Sequence, residues 1–277
     1  MRALLCVNRN SRRGRLFDAD VRANLARLGV EVVDGGDRGA NAAAADCVVA
    51  GGGDGTVVSV IPQALARNVP LGIVPVGTFN ELARTLALPF DVAEACAVIA
   101  AGRTRTIDVA SVNGRYYVNE ASIGISSRIA RLQTPEVKQR WGVLAVVATA
   151  LQAFLHARPM HARVTFDDRT EYFKSVQLTV ANSHRFGGLF TVGDAAIDDG
   201  WLDLYSVDIA NPLEAFSVTR AMFLGRRESV PGLRTYRSTR FAVATRHRHR
   251  ITADGEPAGK TPAVFEVLPK ALRVLAP

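Results

Sequence analysis

Cysteine, aromatic side chains and long apolar runs are all scarce in this 277-residue chain. The three cysteines, Cys6, Cys47 and Cys96, lie far apart and form neither a CxxC pair nor an even set, which excludes a disulfide framework. Each sits in an apolar stretch, so they read as buried free thiols in a reducing compartment, which points to the cytoplasm. Aromatics make up only 7% and no RNA- or DNA-binding motif is present, which argues against a nucleic-acid partner. The longest apolar run, Val143 to Leu155, is interrupted by Gln152 and falls short of the ~20 residues that span a bilayer. Met1 to Val7 is too short for a signal-peptide core and reads as a first strand. No internal repeat and no low-complexity linker occurs.

Hydrophobic residues amount to 48%, ample for a core, and the length suits two modest domains. The net charge of +8 suits phosphorylated ligands and anionic surfaces. It is unevenly spread: Arg226, Arg227, Arg234, Arg237, Arg240, Arg246, Arg248 and Arg250 lie in a stretch holding one acid, Glu228. That stretch reads either as a solvated basic face or as a peripheral contact with anionic membrane, where each Arg contributes about 1 kcal/mol.

The first third alternates short apolar runs with helical spacing. Strands are expected at Ala3–Val7, Val30–Val33, Cys47–Ala50 and Leu71–Pro75, with helices at Leu16–Leu28 and, despite Pro62, Thr56–Arg67. Uniformly apolar strands separated by helices imply an open parallel α/β sheet over residues 1–102. Beyond Gly102 strands dominate: Thr104–Val109, Tyr116–Val118, Ala162–Phe166, Val176–Ala181, Leu202–Val207, Arg240–Ala244 and Ile251–Ala253. One long helix, Pro135–Ala157, interrupts them. Residues 103–263 therefore read as an all-β domain with an inserted helix. Phe265–Leu268 and Leu272–Leu275 are expected to return to the first domain, so that 264–277 belongs with 1–102.

Two loops carry the chemistry. Gly51-Gly52-Gly53-Asp54-Gly55-Thr56 joins a strand to a helix. Consecutive glycines let backbone approach a phosphate closely, and the helix N-terminus supplies N–H groups for its charge. It is neither a Walker A loop, because Lys-Ser/Thr is missing, nor GxGxxG. Asp54 inside it implies either Mg²⁺ or a structural turn. The second loop, Pro75-Val76-Gly77-Thr78-Phe79-Asn80-Glu81, again joins strand to helix and belongs at the same carboxyl edge of the sheet. Taken alone, it would be a helix cap on Thr78 or Asn80.

Further motifs follow in order: Asn8-Arg9-Asn10-Ser11-Arg12-Arg13-Gly14, Ile107-Asp108-Val109, Asn119-Glu120-Ala121-Ser122-Ile123-Gly124, Arg140-Trp141-Gly142, Gly187-Gly188, Ala195, Asp199-Gly200-Trp201-Leu202-Asp203-Leu204 and Asp254-Gly255-Glu256. Together with the two loops, this ordered set resembles the diacylglycerol kinase catalytic-domain family, specifically its small bacterial lipid kinases, over most of the chain. The resemblance implies an NAD kinase/lipid kinase-like fold, an open parallel α/β domain followed by a β-sandwich, with the active site in the cleft between domains. It implies ATP held by Asn8, Ser11, Gly51, Gly52, Gly53, Asp54, Gly55, Thr56, Gly77, Thr78 and Asn80. Glu256 would be the general base that takes a proton from an acceptor hydroxyl. Asp54, Glu81 and Asp108 would serve catalysis with Mg²⁺. A structural Mg²⁺ is implied at Asp199 with the carbonyls of Ala196 and Trp201, against the simpler reading of an Asp-Gly turn. Relatives usually carry Asp where this chain has Glu81, and the first loop is a lengthened form of the family's Asn-Pro-x-Ser-Gly.

The implied activity is transfer of the γ-phosphate of ATP to a hydroxyl of diacylglycerol or a related lipid. Two other readings stand beside it. An NAD kinase would share the glycine loop and use Asn119-Glu120 on the ribose, and a catalytically weak nucleotide- or lipid-binding homologue would fit Glu81 and the altered first loop. The segment Trp141–Leu155 is apolar enough to line a lipid cleft, lie on a membrane, or pack as a core helix. Antiparallel edge strands in the second domain would allow pairing between two copies.

Overall fold

Short apolar segments in the first third do pair as a parallel sheet. The computed structural model describes residues 1–7, 12–34, 44–77, 79–125, 158–183, 185–186, 190–191, 196–208, 214 and 232–277. Thr78, Asn8, Ser11, the expected helix 135–157, Gly187–Gly188, Ala195 and Arg226–Arg227 lie outside these residues. The chain divides into two compact units, Met1–Val109 with Pro269–Pro277, and Ala110–Leu268.

The first unit contains β1 (Arg2–Val7), α1 (Arg12–Arg27), β2 (Glu31–Asp34), β3 (Cys47–Gly52), α2 (Asp54–Arg67), β4 (Leu71–Pro75), α3 (Glu81–Thr85) and α4 (Val92–Ala101). Strand order is β2-β1-β3-β4, all parallel. Every residue of β3 and β4 is buried, which is why these strands read as continuous apolar runs rather than alternating ones. Val21, Leu25, Cys96 and Ile99 pack with Val49 and Val74 in one core. Helix α4 has no expectation from apolar spacing. Its signals are at its ends: Asp91 Oδ1 accepts the Ala93 and Glu94 N–H groups at 2.9 and 3.0 Å, and Gly102 ends it in the left-handed conformation.

Strand β5 (Thr104–Val112) runs three residues beyond the expected Val109 and contains the division between units. The second unit continues with β6 (Arg115–Tyr117), β7 (Glu120–Gly124), β8 (Met160–Phe166), β9 (Arg169–Ser175), β10 (Gln177–Ala181), β11 (Arg185–Phe186), β12 (Phe190–Thr191), β13 (Leu202–Val207), β14 (Leu233–Ser238), β15 (Arg240–Thr245), β16 (Arg250–Ala253) and β17 (Glu256–Lys260). The last strand, β18 (Ala263–Leu275), is one element where two were expected, and its final residues pair with β4 through Val274 and Leu71. One antiparallel sheet has the order β14-β13-β10-β7-β16-β17, and a second antiparallel run is β18-β15-β8-β9. Leu178, Val180, Leu202, Leu204 and Ile123 from the first meet Val164, Phe241, Val243 and Phe265 from the second in a single core, as in a β-sandwich.

The cysteines are free. Burial, then the charge of Asp46, pushes the Cys47 thiol up to about 12. Burial, then Asp20, pushes Cys96 up to about 11. Both thiols stay protonated near neutral pH, and it is the thiolate that reacts. Titration with a chromogenic disulfide reagent at mildly alkaline pH should therefore leave Cys47 and Cys96 unlabelled in the native protein and label both in urea.

Candidate functional site

The carboxyl ends of β3 and β4 bring the two glycine loops together. Gly51 pairs with Val7 of β1 and Gly52 with Pro75 of β4, so both loops leave the same edge of a parallel sheet. Gly53 and Gly77 then approach backbone to backbone. A Cβ on Gly77 would lie 2.5 Å from Gly53 Cα and 2.6 Å from Asn80 Oδ1, so only glycine fits. Asn80 holds the second loop: its Oδ1 accepts the Gly77 N–H at 2.9 Å and its Nδ2 donates to the Gly77 carbonyl at 2.8 Å. Asn80 itself is buried in the left-handed conformation that Asn tolerates.

Asp54 opens α2, and its Oδ1 accepts the Glu81 N–H at 2.7 Å. The carboxylate therefore ties the start of one helix to the start of the next. Gly53 places no side chain over the α2 N-terminus, so that end is suited to an anion. Thr56 and Val57 turn their N–H groups back to the Gly53 carbonyl at 2.9 and 3.1 Å. The structure thus gathers Gly51, Gly52, Gly53, Asp54, Gly55, Thr56, Gly77, Asn80 and Glu81 at one sheet edge.

Asp108 is fully buried on β5, where its Oδ1 accepts the Lys270 N–H at 2.6 Å. Among the described residues no three His, Cys, Asp or Glu side chains converge as a metal cluster. Mg²⁺ that travels with a polyphosphate needs only one or two carboxylates, because phosphate and water supply the other oxygens. Of the three carboxylates expected to serve Mg²⁺, Asp54 and Glu81 stand together at the loop edge, whereas Asp108 is fully buried on β5.

The second unit builds a separate arrangement around Asp254. Strands β16 and β17 form a hairpin whose central residues, Asp254 and Gly255, have φ of 45° and 83°. This is the tight turn that Asp-Gly favours, and Glu256 opens the strand that leaves it. Asp254 does more than turn the chain. Its Oδ2 accepts the Val118 N–H at 2.8 Å, and its Oδ1 accepts those of Asn119 and Glu120 at 3.0 Å each. Its own N–H donates to the Glu120 carbonyl at 2.8 Å. From the other side Asn182 donates through Nδ2 to the Val118 carbonyl at 3.0 Å and through its backbone N–H to the Asn119 carbonyl at 2.8 Å. Segment 118–120, which leaves β6 for β7, is thereby held on both faces.

Asn119 is fully buried and its side-chain amide has no hydrogen-bond partner among the described residues. Burial, then the charges of Asp254 and Glu120, holds the Tyr117 phenol well above its usual range, so it stays neutral. Asp254 as an amide anchor and Asn182 as its counterpart carry no expectation from the sequence. The Asp-Gly pair marks the turn, but nothing local marks the amides that the carboxylate reaches.

Asp199 lies before β13. Its Oδ2 accepts the Ala196 N–H at 3.2 Å and its Oδ1 the Trp201 N–H at 3.0 Å. The guanidinium of Arg237 also pairs with Oδ2.

Among the described residues, arginines of the basic stretch have separate partners. Arg234 lies over the Phe173 ring, Arg237 pairs with Asp199, Arg240 with Glu266, and Arg248 donates to the Thr261 carbonyl. Arg246 instead joins His161, Arg163, Tyr172 and Lys174 around a groove of about 510 Å³.

The diacylglycerol kinase catalytic domain family matches residues 2–112. The YegS C-terminal NAD kinase beta sandwich-like domain family matches residues 119–276. A diacylglycerol kinase of Staphylococcus saprophyticus is 28% identical over 235 residues, covering 84% of this chain and 77% of the relative. One of Bacillus subtilis is 27% identical over 236 residues, covering 84% and 78%. An uncharacterized protein of Synechocystis is 28% identical over 237 residues, covering 83% of this chain, which spans only 54% of that relative's length. The crystal structure of a diacylglycerol kinase from Bacillus anthracis superposes over 100% of this chain and 97% of its own, with TM-score 0.74 and 20% identity. An NAD kinase from Archaeoglobus fulgidus in complex with ATP superposes over 99% and 93%, with TM-score 0.57 and 16% identity. These two likenesses establish the fold.

Replacing Asp254 with Ala leaves three amides without their acceptor, two of them entering β7. Asp254→Ala should lower unfolding free energy by about 1–3 kcal/mol in urea titration. An unchanged midpoint would mean that the carboxylate does not hold the segment.

Proposed function

The chain belongs to the family that joins a diacylglycerol kinase catalytic domain to an NAD kinase-like β-sandwich domain, and on that premise we propose that it transfers the γ-phosphate of ATP to the hydroxyl of a diacylglycerol-like lipid. The observation that carries the nucleotide half is the backbone contact of Gly53 with Gly77 beside the uncapped α2 N-terminus. Amides at such an edge bind phosphate, and two loops grip a polyphosphate from two sides. Gly51, Gly52, Gly53, Gly55, Thr56, Gly77 and Asn80 take this role, with Asn8, Ser11 and Thr78 assigned to it by the family motif alone. Mg²⁺ would be held by one or two of Asp54, Glu81 and Asp108, and it would neutralise charge on the transferring phosphates.

Glu256 is the proposed general base. It is exposed at the mouth of a hairpin that Asp254 fixes, so its backbone is rigid while its carboxylate reaches solvent. An alcohol is a poor nucleophile near neutral pH, and a carboxylate accepting its proton contributes roughly 10²–10⁴ in rate. Radiolabelled ATP offered with diacylglycerol, phosphatidylglycerol, a sphingoid base and NAD tests the acceptor. Label should enter the lipid, and Glu256→Gln should cut transfer by at least about 10² while ATP binding persists. Label in NAD alone would replace this reading with an NAD kinase. Tight ATP binding without transfer to any acceptor would replace it with a non-catalytic binder.

We further propose that the protein works at an anionic membrane surface, through the outward face of β8, β9 and β15. His161 is paired across strands with Lys174, and Arg163 with both Tyr172 and Ala244. His161, Arg163, Lys174 and Arg246 have no acidic partner among the described residues, and Tyr172 is 73% exposed between them. By that register Arg163 and Lys174 are diagonal neighbours on the same face, and an anionic surface relieves the repulsion between their charges. An exposed Tyr also suits the headgroup layer. Sedimentation with phosphatidylglycerol-rich vesicles should carry the protein down at low salt, and Arg163→Glu with Lys174→Glu should abolish that. Equal binding to phosphatidylcholine vesicles would rule the face out.

A further inference from the structure

The turn before β13 holds a carboxylate that already has a cation from the protein itself. Asp199 accepts N–H groups from Ala196 and Trp201, the two residues whose carbonyls a structural metal would require beside it. Its Oδ2 is paired with the Arg237 guanidinium. Arg237 arrives there by strand register, because it stands directly across from Asp203 on the paired strands β13 and β14. Its Nε lies 3.8 Å from Asp203 Oδ1, so one planar fork reaches both carboxylates. The Trp201 ring lies over the guanidinium with its centroid 6.0 Å from Cζ, which adds a cation–π contact. Both carboxylates are mostly buried, at 21% and 17% side-chain exposure. A divalent ion would have to displace a guanidinium that the sheet register places and an aromatic ring covers. The residues present therefore do not fit a metal.

We infer that Arg237 is the resident cation of the Asp199 turn, and that this unit folds without a metal there. The inference does not depend on the proposed activity, and its test uses no nucleotide and no acceptor.

The experiment is thermal unfolding of the full chain without nucleotide, in excess EDTA and in millimolar Mg²⁺. The wild type should melt at the same temperature in both. Arg237→Gln should melt about 2–4 °C lower in EDTA and should recover part of the loss on addition of Mg²⁺ or Ca²⁺. The recovery should vanish in the Arg237→Gln/Asp199→Asn double variant. Arg237→Lys, which keeps the charge without the fork, should fall between wild type and Arg237→Gln. The inference is overturned if EDTA lowers the wild-type melting temperature and Asp199→Asn abolishes that sensitivity. It is equally overturned if Arg237→Gln melts like the wild type.

Discussion

Where Gly53 meets Gly77, two strand-to-helix loops come as close as backbone allows, and much of the first unit follows from it. The contact leaves no room for a Cβ on Gly77, and one on Gly53 would meet Gly77 Cα at a tight 3.0 Å. It also requires the parallel pairing of β3 with β4, since only then do both loops leave the same edge. That pairing in turn needs apolar side chains on both faces of each strand, as Cys47–Ala50 and Leu71–Val74 provide. Asn80 and Asp54 complete the lock, one within the second loop and one between the loops. An edge made in this way presents amides in fixed positions, which is the property a polyphosphate site needs.

Aspartates throughout the chain serve as acceptors for backbone amides. Asp54 holds Glu81, Asp91 caps α4, Asp108 holds Lys270, Asp199 holds Ala196 and Trp201, and Asp254 holds three residues at once. The short side chain suits this work, because it reaches amides across a turn with little rotamer entropy to lose. Glutamate at 256 has one more methylene and sits exposed on a strand that aspartate has already fixed. In Asp254-Gly255-Glu256 one acid therefore anchors the turn through backbone amides, and the other stands exposed at the start of the next strand. The Asp199 turn shows the same use of aspartate, with Arg237 neutralising the charge that the amides leave over.

Strand pairing also redistributes charge. Of eight arginines close in sequence, Arg234, Arg237, Arg240 and Arg248 are sent to a ring, two acids and a carbonyl in different places, and Arg226 and Arg227 lie outside the described residues. The denser cationic face is assembled from β8, β9 and the end of β15, segments more than 70 residues apart at their extremes. Alternation along each strand puts His161, Arg163, Tyr172 and Lys174 outward while Ala162, Val164 and Phe173 enter the core.

Local pattern determined a good deal by itself. The apolar runs at Ala3–Val7, Cys47–Ala50 and Leu71–Pro75, the glycines between them, and the change to alternating strands after Gly102 are enough for an α/β unit followed by a β-rich one, because burial on two faces or one is written residue by residue. The motif order was enough for the family. Tertiary structure alone decided which amides Asp54, Asp108 and Asp254 hold, that Arg237 reaches Asp199, that β18 is one strand, and that four basic side chains share a sheet face. Each of these joins residues 27 to 162 positions apart or depends on strand register. Sequence spacing carries no record of register, since a shift of one residue turns every side chain to the other face of the sheet.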